Sequence, residues 1–404
     1  MRHIYLDNHS TTPVDPRVLE SMLPYFNELF GNAASRSHSF GWDANNAVEV
    51  ARSSVANAIG ASSAQEIVFT SGGTESNNLA LKGAVESYAD KGNHVIVSAV
   101  EHKSVLDTAK RMAAQGCEVT VLGVNGLGRV EPEQLRQAIT DKTVLVSIML
   151  ANNEVGTVQP IAELGSITHE RGGLFHVDAV QGLGNVDFDV ERMQVDLASV
   201  SAHKVYGPKG CGALYIRRKR PRVSISAQID GGGHERGVRS GTLNVPAIVG
   251  FGRACELLAE GAANERIRIA TLRDTLQARF AAALPRVSIN GDPVERLPGN
   301  LNMSFHYVES EGLMRGVKEI ALSSGSACSS ATPEPSYVLA AMGLDPALAR
   351  CSIRFGIGRF NTAEELNYVA ERVINEVERL RGQSSLWKSV EQGVDPTLLE
   401  HRVP

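Results

Sequence analysis

The stretch Glu66–Asn78, EIVFTSGGTESNN, sets the pattern of the fold. Ile67–Thr70 is a short apolar run, and Ser71–Asn78 is a turn of small and polar residues that opens a helical pattern. A strand-to-helix turn of this kind presents bare backbone N–H groups at the positive end of a helix dipole, so it can bind a phosphate group. Taken alone the signal is weak, because many strand-to-helix turns are rich in glycine.

Similar apolar runs alternate with segments of helical period from Glu66 to Ile216, and several lack polar alternation, as strands buried on both faces do. The predicted strands are Ile67–Thr70, His94–Ala99, Glu118–Leu122, Thr143–Met149, Leu174–Asp178, Leu197–Ser201 and Gly212–Ile216. The helices predicted between them include Ser76–Asp90, Lys103–Gln115 and Ile161–Arg171. This order predicts an α/β fold with a mostly parallel, seven-stranded sheet. The link between the last two strands is too short to decide whether they pair in parallel.

The pattern changes after Gly241. Val245–Leu284 has helical period and predicts one or two long helices. Shorter elements follow, namely strands at Val287–Asn290, Asn300–Phe305 and Ser352–Phe355 and helices at Pro335–Met342 and Ala363–Arg381. We therefore expect a large domain over residues 15–260 and a smaller α+β domain formed by residues 1–14 and 261–404. Residues 1–14 are compatible with packing on either domain, and we assign them to the small one.

Bulk composition excludes several classes of protein. The chain has 404 residues, 43% of them hydrophobic, and a net charge of -5, which is typical of a globular protein rather than a disordered one. Aromatic content of 5% argues against a base-stacking nucleic-acid surface, and no apolar run approaches the roughly 20 residues of a membrane span. The five cysteines form no CxxC pair, so we expect free thiols, no standing metal site and a cytoplasmic location.

Polar groups suited to catalysis follow five of the predicted strands. Besides the Ser71–Asn78 turn they are Glu101-His102-Lys103, Asn152-Asn153-Glu154, Asp178 with Gln181, and His203-Lys204. In doubly wound sheets ligands bind at the carboxyl ends of the strands. Any one of these residues is more often a helix cap or a satisfied polar group, but five together are hard to explain as capping.

Lys204 is the most informative of these residues. It follows a buried strand and stands beside His203, where burial and a neighbouring cation favour the neutral amine, a nucleophile towards aldehydes. A lone lysine in such a place is more often a surface side chain. A phosphate cradle, an acidic residue for a pyridine nitrogen and an imidazole that can lie on a ring complete the requirements of pyridoxal phosphate (PLP). ATP and dinucleotides are disfavoured, since neither a P-loop nor a GxGxxG motif occurs.

Seven strings, in order, resemble the cysteine desulfurases of the class V aminotransferase superfamily and are most similar to the IscS type. They are TSGGTESNN, EHKSVLD, ANNEVGTVQP, HVDAVQ, SAHKVYGPKG, GGGHERGVRSGT and SSGSACSSATPEPSY. The resemblance extends from LDNHSTTPVDP near the start to GVD near the end. It implies a PLP-dependent transferase fold of type I that converts L-cysteine to L-alanine. The sulfur would serve iron–sulfur cluster assembly and tRNA thiolation.

The resemblance also implies roles for the cofactor site. Lys204 would form the aldimine with PLP, Asp178 would pair with the pyridine nitrogen, and His102 would stack on the ring and share in proton transfer. The other implied cofactor ligands are Gln181 and Asn153 for the ring oxygen, Gly73, Thr74, Ser201 and His203 for the phosphate, and Thr242 for the phosphate of the other subunit in a homodimer.

The substrate and the sulfur would be handled by residues near the end of the chain. Arg354 would bind the substrate carboxylate through its guanidinium fork. Asn32 would assist there, although Ala33 stands where the family usually has proline. Cys328 lies in Ser323–Pro335, a run of small residues expected to be a mobile loop, and its thiolate would carry the persulfide. The family also allows Cys328 to serve as a temporary ligand of an iron–sulfur cluster.

Two segments are candidates for partner contacts. The basic run Arg217–Arg222 would normally be a solvated face, but on a mildly acidic protein it can steer an acidic partner, which the family suggests is frataxin-like. Ser385–His401 either docks an IscU-type scaffold or packs on its own domain. The alternatives to a desulfurase are a selenocysteine lyase, a small aminotransferase, or a degenerate relative that acts as a scaffold or as a thiol- or metal-binding protein.

Overall fold

The computed structural model describes residues 3–219, 221–324 and 336–393. In these ranges the strands are β1 Ile4–Tyr5, β2 Ile67–Thr70, β3 His94–Ser98, β4 Glu118–Leu122, β5 Thr143–Ser147, β6 Leu174–Asp178, β7 Leu197–Ser201, β8 Gly212–Ile216, β9 Val287–Ile289, β10 Asn300–Phe305, β11 Ile320–Ala321 and β12 Ser352–Gly356. The helices are α1 Pro16–Met22, α2 Pro24–Asn27, α3 Ser39–Ala58, α4 Gly73–Ser87, α5 Lys103–Ala113, α6 Pro132–Ala138, α7 Ile161–Glu170, α8 Val245–Ala283, α9 Ser310–Gly316, α10 Tyr337–Ala341, α11 Pro346–Arg350, α12 Ala363–Gln383 and α13 Ser385–Glu391.

A seven-stranded sheet forms the core of the large domain, as predicted, and the structure gives its strand order as β2-β8-β7-β6-β5-β3-β4. The pairs from β7 to β4 are parallel, whereas β8 runs antiparallel to both β2 and β7. The open question about the last two strands is therefore answered: β8 returns beside β7 in the opposite direction. The short segment between them holds Lys204 in a 3-10 turn, Ala202–Lys204, directly at the end of β7.

Burial along the strands explains which of them read as continuous apolar runs. Every residue of β2, β3, β5, β6, β7 and β8 is buried, since helices cover both faces of the sheet. The edge strand β4 is the exception, with only Leu122 fully buried. The sheet therefore presents its carboxyl edge, not its faces, as the place for a site.

The long helix α8 is one continuous element of 39 residues. Its glycines allow close packing instead of breaking it: a Cβ at Gly252 would lie 2.6 Å from the Cα of Ala51 on α3, and one at Gly250 would lie 2.5 Å from the sulfur of Met22. The first half of α8 packs in the core of the large sheet, and the second half packs in a separate apolar cluster.

This second cluster surrounds the antiparallel sheet β12-β10-β9, with Phe280, Phe305 and Phe355 at its centre. Ile4 and Leu6 pack in the same cluster, and β1 pairs in parallel with β11. We propose on this basis that the N-terminal strip belongs with the C-terminal elements. The domain boundaries at residues 14/15 and 260/261 stay predictions, because α8 runs through both clusters.

Burial corrects one prediction about surfaces and bears on an alternative that the sequence left open. Arg217, the first residue of the basic run, is buried and forms an ion pair with Asp196, so it is no part of an exposed charge patch. Trp387 is buried on α13, and the guanidinium of Arg381 lies 4.3 Å from its ring centroid. Residues 385–391 therefore pack on their own domain, and residues 394–404 lie outside the described part. None of the described helices combines the length and apolarity needed to cross a bilayer.

Candidate active site

The polar strand ends converge on a cleft of about 320 Å³ at the carboxyl edge of the large sheet. Its lining combines the N-terminal strip, the start of α4, the ends of several strands and β12 of the small sheet. The lining residues are His9, Ser10, Gly73, Thr74, Asn77, His102, Ser104, Met149, Asn153, Asp178, Val180, Gln181, His203, Lys204 and Arg354. Most of the residues predicted for one site therefore lie together.

Lys204 is fixed by the N-terminal strip. Its Nζ donates hydrogen bonds to the carbonyl oxygens of His9, at 2.5 Å, and Ser10, at 2.7 Å. The backbone of the strip is tied back in turn, because the N–H of Thr12 donates to the carbonyl of His203. Burial, with the positive charges of Lys204 and Lys209, lowers the pKa of His203 to about 4, so this imidazole is neutral at pH 7. His203 is therefore not the cation that the sequence predicted beside Lys204.

The start of α4 is built to receive an anion. Gly72 has φ +152°, and a Cβ on Gly73 would lie 2.7 Å from Val180 Cγ2, so neither position accommodates a larger residue. The helix has no side-chain cap, which leaves its first N–H groups for a ligand. Ser201 does not line the cleft, but its buried hydroxyl lacks a hydrogen-bond partner among the described residues and lies near Gly72. α4 begins three residues earlier than predicted, at the turn itself.

Asp178 ends β6 and is linked to His102 through two residues that sequence analysis did not single out. Asn77 donates to Asp178 Oδ2 at 2.7 Å and to Ser104 Oγ at 2.8 Å. Ser104 then contacts His102 Nδ1 twice, through its hydroxyl at 2.8 Å and its N–H at 3.2 Å. Because Nδ1 accepts the N–H bond, the neutral imidazole carries its proton on Nε2. Both linking residues stand inside the quoted strings TESNN and EHKS, which is the only signal for them.

Gln181 and Asn153 also lie at the cleft. Gln181 Nε2 donates to the carbonyl of His9 at 2.8 Å, and its Oε1 lies 3.2 Å from His9 Nδ1. One Nε2 hydrogen of Gln181 is left for another acceptor. Burial lowers the pKa of His9 to about 4, with a further contribution from the positive charge of Arg354.

Arg354 lies on β12, and only 3% of its surface is exposed. Its Nη2 donates to Asp7 Oδ1 and to Ser10 Oγ, each at 2.7 Å, and its Nη1 donates to the carbonyl of Asn153 at 2.9 Å. Nε has no hydrogen-bond partner among the described residues. The guanidinium is thus held from several sides while it lines the cleft.

Two described site residues from the sequence analysis lie away from this cleft, and a third, Cys328, falls outside the described part of the chain. Thr242 and Asn32 are exposed and do not line it, and Asn32 Oδ1 instead accepts from the N–H of Ala34 at 2.9 Å. Cys211, Cys255 and Cys351 are buried free thiols, as expected of small apolar side chains, and burial raises the pKa of Cys211 to about 12.

The two described ends of the segment that contains Cys328 both touch this site. Before it, the N–H of Arg354 donates to the carbonyl of Ser323 at 2.7 Å. After it, the Tyr337 hydroxyl donates to the carbonyl of Glu101 at 2.7 Å. Ser323 and Tyr337 are therefore both hydrogen-bonded to residues at or next to the cleft lining.

The residues present fit PLP at both ends of that molecule. An uncapped helix start beside an unpartnered buried hydroxyl suits a phosphate, and the buried Asp178 carboxylate suits a protonated ring nitrogen. Lys204 supplies the amine that a carbonyl cofactor requires. Among the described residues no cluster of three or more His, Cys, Asp or Glu side chains is arranged to hold a metal ion.

The family model for class-V aminotransferases matches residues 4–369. The chain belongs to the class-V aminotransferase family. Proteins of this family are PLP-dependent in general, and the chain has their fold, the PLP-dependent transferase fold of type I. The predicted fold class is therefore confirmed.

Curated relatives cover nearly the whole chain. A cysteine desulfurase IscS of Anaeromyxobacter sp. (strain Fw109-5) is 57% identical over 401 residues, which is 99% of each protein. Another IscS, from Ehrlichia chaffeensis (strain ATCC CRL-10679 / Arkansas), is 51% identical over 97% of this chain and 95% of its own length. Among solved structures, a NifS-like protein has a TM-score of 0.86 and 38% identity over 93% of this chain and 99% of its own. The predicted resemblance to this family is confirmed.

Glu101 precedes His102, and its buried carboxyl makes the free energy of unfolding depend on pH. It is fully buried, accepts hydrogen bonds from Ser98 Oγ and the N–H of Met149, and burial raises its pKa from 4.5 to about 8. Between these values the folded chain holds a proton that the unfolded chain has released, so stability falls as pH rises, by at most about 1.4 kcal/mol per pH unit. Glutamine in Glu101→Gln does not titrate, so the pH-dependent loss of stability disappears. We expect the variant to gain stability relative to the wild type as pH rises from about 5 to about 8.

The measurement is denaturant unfolding of both proteins at several pH values. Glu163→Gln, at an exposed position on α7, is the matched control and should follow the wild type. Identical pH dependence in the wild type and Glu101→Gln would show that Glu101 is ionised in the folded chain.

Proposed function

We propose that this chain is a PLP-dependent cysteine desulfurase that converts L-cysteine to L-alanine and leaves the sulfur as a persulfide on Cys328. The observation that carries the proposal is the placement of Lys204, the uncapped start of α4, Asp178 and Arg354 around one cleft. The curated IscS relatives support the reaction and its substrate.

The cofactor would be held at three points by described residues. Lys204 Nζ would tether it, and Asp178 would hold the ring nitrogen protonated. Gly73, Thr74, Ser201 and His203 would hold its phosphate, where a neutral His203 and bare N–H groups donate hydrogen bonds. Gln181 would donate its remaining Nε2 hydrogen to the ring oxygen, with Asn153 beside it. When bound, PLP supplies an electron sink for negative charge at the substrate Cα.

The protein's own groups orient the substrate and move protons. Arg354 would bind the carboxylate of L-cysteine. Asn32 would add a second contact to the same carboxylate, although it does not line the cleft. Once the substrate amine has displaced it, Lys204 Nζ takes up the Cα proton. His102 would stack on the ring with its proton on Nε2, and the contacts of Ser104 and Asn77 support this orientation of the imidazole.

Sulfur transfer is assigned to Cys328. Its thiolate attacks the substrate sulfur, so an S–S bond forms as the Cβ–S bond breaks. The electron pair of the broken bond stays with Cβ, which takes up a proton, and the proton that Lys204 removed is returned to Cα to complete L-alanine. The sum is L-cysteine plus thiol giving L-alanine plus persulfide. The contacts of Ser323 and Tyr337 support this role, because they hold both described ends of the Cys328 segment at the cleft framework.

We further propose that two copies form a homodimer. Phe30 and Phe40 are each more than half exposed although their ring centroids lie 5.5 Å apart, and Trp42, two residues after Phe40, is 57% exposed. A group of exposed apolar side chains of this kind is typical of a protein–protein contact. A groove of about 770 Å³ lies beside Trp42 and is bordered by Ala33, Gly232 and Leu243. Thr242 is exposed and precedes Leu243, which borders this groove, and we propose that it reaches the phosphate site of a second copy.

The remaining proposals concern where the enzyme works and which proteins receive the sulfur. We propose a cytoplasmic enzyme that delivers sulfur to an IscU-type scaffold and other acceptors for iron–sulfur cluster assembly, with tRNA thiolation as a second use. Arg218, Lys219 and Arg222 are the described members of the basic run that remain for an acidic, frataxin-like partner. We propose no contact with membranes or with nucleic acid directly. We also propose that the Cys328 thiolate can serve as a temporary ligand of an iron–sulfur cluster, as the family resemblance implies.

The first test measures whether Cys328 gains one sulfur from L-cysteine. Intact-mass spectrometry after adding L-cysteine is expected to show one extra sulfur on the wild type, mapped to Cys328, and none on Cys328→Ser. Turnover to L-alanine should be lost in this variant, whereas Cys117→Ser, at another free cysteine, should retain it. Unchanged turnover in Cys328→Ser would exclude the persulfide mechanism and favour an aminotransferase or lyase. A purified protein that takes up no PLP would favour the non-catalytic alternative.

The dimer is tested by a charge placed on the exposed apolar cluster. Trp42→Glu should convert a dimer to a monomer in sedimentation equilibrium, because a carboxylate would be buried without a partner in the interface. Ile267→Glu is the matched control: Ile267 is 67% exposed on α8, away from this cluster, and its substitution should leave the dimer intact. A monomeric wild type, or a Trp42→Glu variant that stays dimeric, would contradict the proposed interface.

A further inference from the structure

Asp7 is the counter-ion of Arg354 in this cleft. Its Oδ1 lies 2.7 Å from Arg354 Nη2, and the side chains are 21% and 3% exposed. Ser10 joins the pair, since its hydroxyl accepts from Arg354 Nη2 at 2.7 Å and donates to Asp7 Oδ1 at 2.9 Å. A partly buried carboxylate thus stands where the substrate carboxylate has to be recognised.

Main-chain hydrogen bonds fix both partners. The N–H of Gly356 donates to the carbonyl of Leu6 at 2.7 Å, and the N–H of Asn8 donates to the carbonyl of Gly356 at 3.2 Å, which places Asp7 beside β12. Arg354 is two residues back on the same strand, paired with Asn302 of β10. Neither residue can therefore swing far from the other without breaking these bonds.

The geometry of a guanidinium makes the two carboxylates competitors. It can grip a carboxylate with two parallel bonds along the Nε–Nη2 edge or along the Nη1–Nη2 edge, and both edges include Nη2. In this chain Nη2 already donates to Asp7 and Ser10, and Nη1 already donates to the carbonyl of Asn153. A substrate carboxylate that binds in two-pronged fashion must take Nη2 from its present partners.

We propose that Asp7 is a positioning residue that sets how tightly Arg354 binds a substrate carboxylate, by competing with it for Nη2. This inference rests on the proposed function, because it concerns the same arginine. As a consequence, Arg354 binds every carboxylate less tightly than it would without Asp7. Product L-alanine, which carries the same carboxylate, is then released more easily, while the arginine remains oriented.

The test is Asp7→Asn in the PLP-loaded enzyme. The amide keeps an acceptor for Nη2 but removes the negative charge, so the KM for L-cysteine should fall by about tenfold, the difference between charged and neutral hydrogen bonding. The kcat should change little. The inhibition constant of L-alanine should fall by the same factor, whereas that of ethylamine, the same amine without a carboxylate, should not move.

Two controls complete the design. Asp187→Asn, at an exposed carboxylate paired with Arg192, should leave all three constants unchanged. Asp7→Ser is the second neutral variant, should the amide disturb the fold, and the same falls are expected. An unchanged or raised KM in both neutral variants, or an equal shift for ethylamine, would overturn the role of Asp7. L-alanine binding is also measured directly, by the change in cofactor absorbance. A wild type inactive on L-cysteine would therefore refute the proposed function, while L-alanine binding to wild type and Asp7→Asn would still test the role of Asp7.

Discussion

Two side-chain cations lie at one cleft, and the oxygen atoms of a four-residue segment hold both of them. Residues 7–10 supply two carbonyl oxygens to Lys204 and a carboxylate and a hydroxyl to Arg354. Cations removed from water need such acceptors, or the cost of desolvation is not offset. The difference between the two sets is chemical: carbonyls bind Lys204 without adding negative charge, whereas Asp7 neutralises Arg354.

The rest of the fold serves to bring this strip to the carboxyl edge of the sheet. β1 pairs with β11, and residues 6–8 run beside β12, so the small sheet carries the strip across to the large one. On the opposite side the Ala202–Lys204 turn follows β7 directly, and β8 returns antiparallel beside β7. The cleft therefore lies between the edge of one sheet and a strand of the other, and both Arg354 and Lys204 line it.

Much of this arrangement follows from the sequence. Apolar runs without polar alternation predicted the buried strands correctly, and the polar residues that follow them converge because parallel strands end at one edge. Asp178, His102 and Lys204 were found in this way. Boundaries moved by a few residues, notably at α4, where an uncapped glycine turn starts the helix earlier than the apolar pattern does.

What the sequence did not predict are contacts between distant segments. Asp7 and Arg354 are 347 residues apart, and no local pattern links an N-terminal aspartate to a strand near the end of the chain. Asn77 and Ser104 were likewise read as parts of helix starts, although they connect Asp178 to His102. Burial of Arg217 and Trp387 depends on partners, Asp196 and Arg381, that only the folded chain brings near.

The central claim is that one lysine, Lys204, tethers PLP at this cleft. The most direct measurement is borohydride reduction of the purified, PLP-loaded protein, which makes the lysine–cofactor linkage permanent, followed by peptide mass spectrometry. The account predicts the phosphopyridoxyl mass on the peptide containing Lys204 and on no other. An adduct on a different lysine, or none in a protein that remains active on L-cysteine, would contradict it.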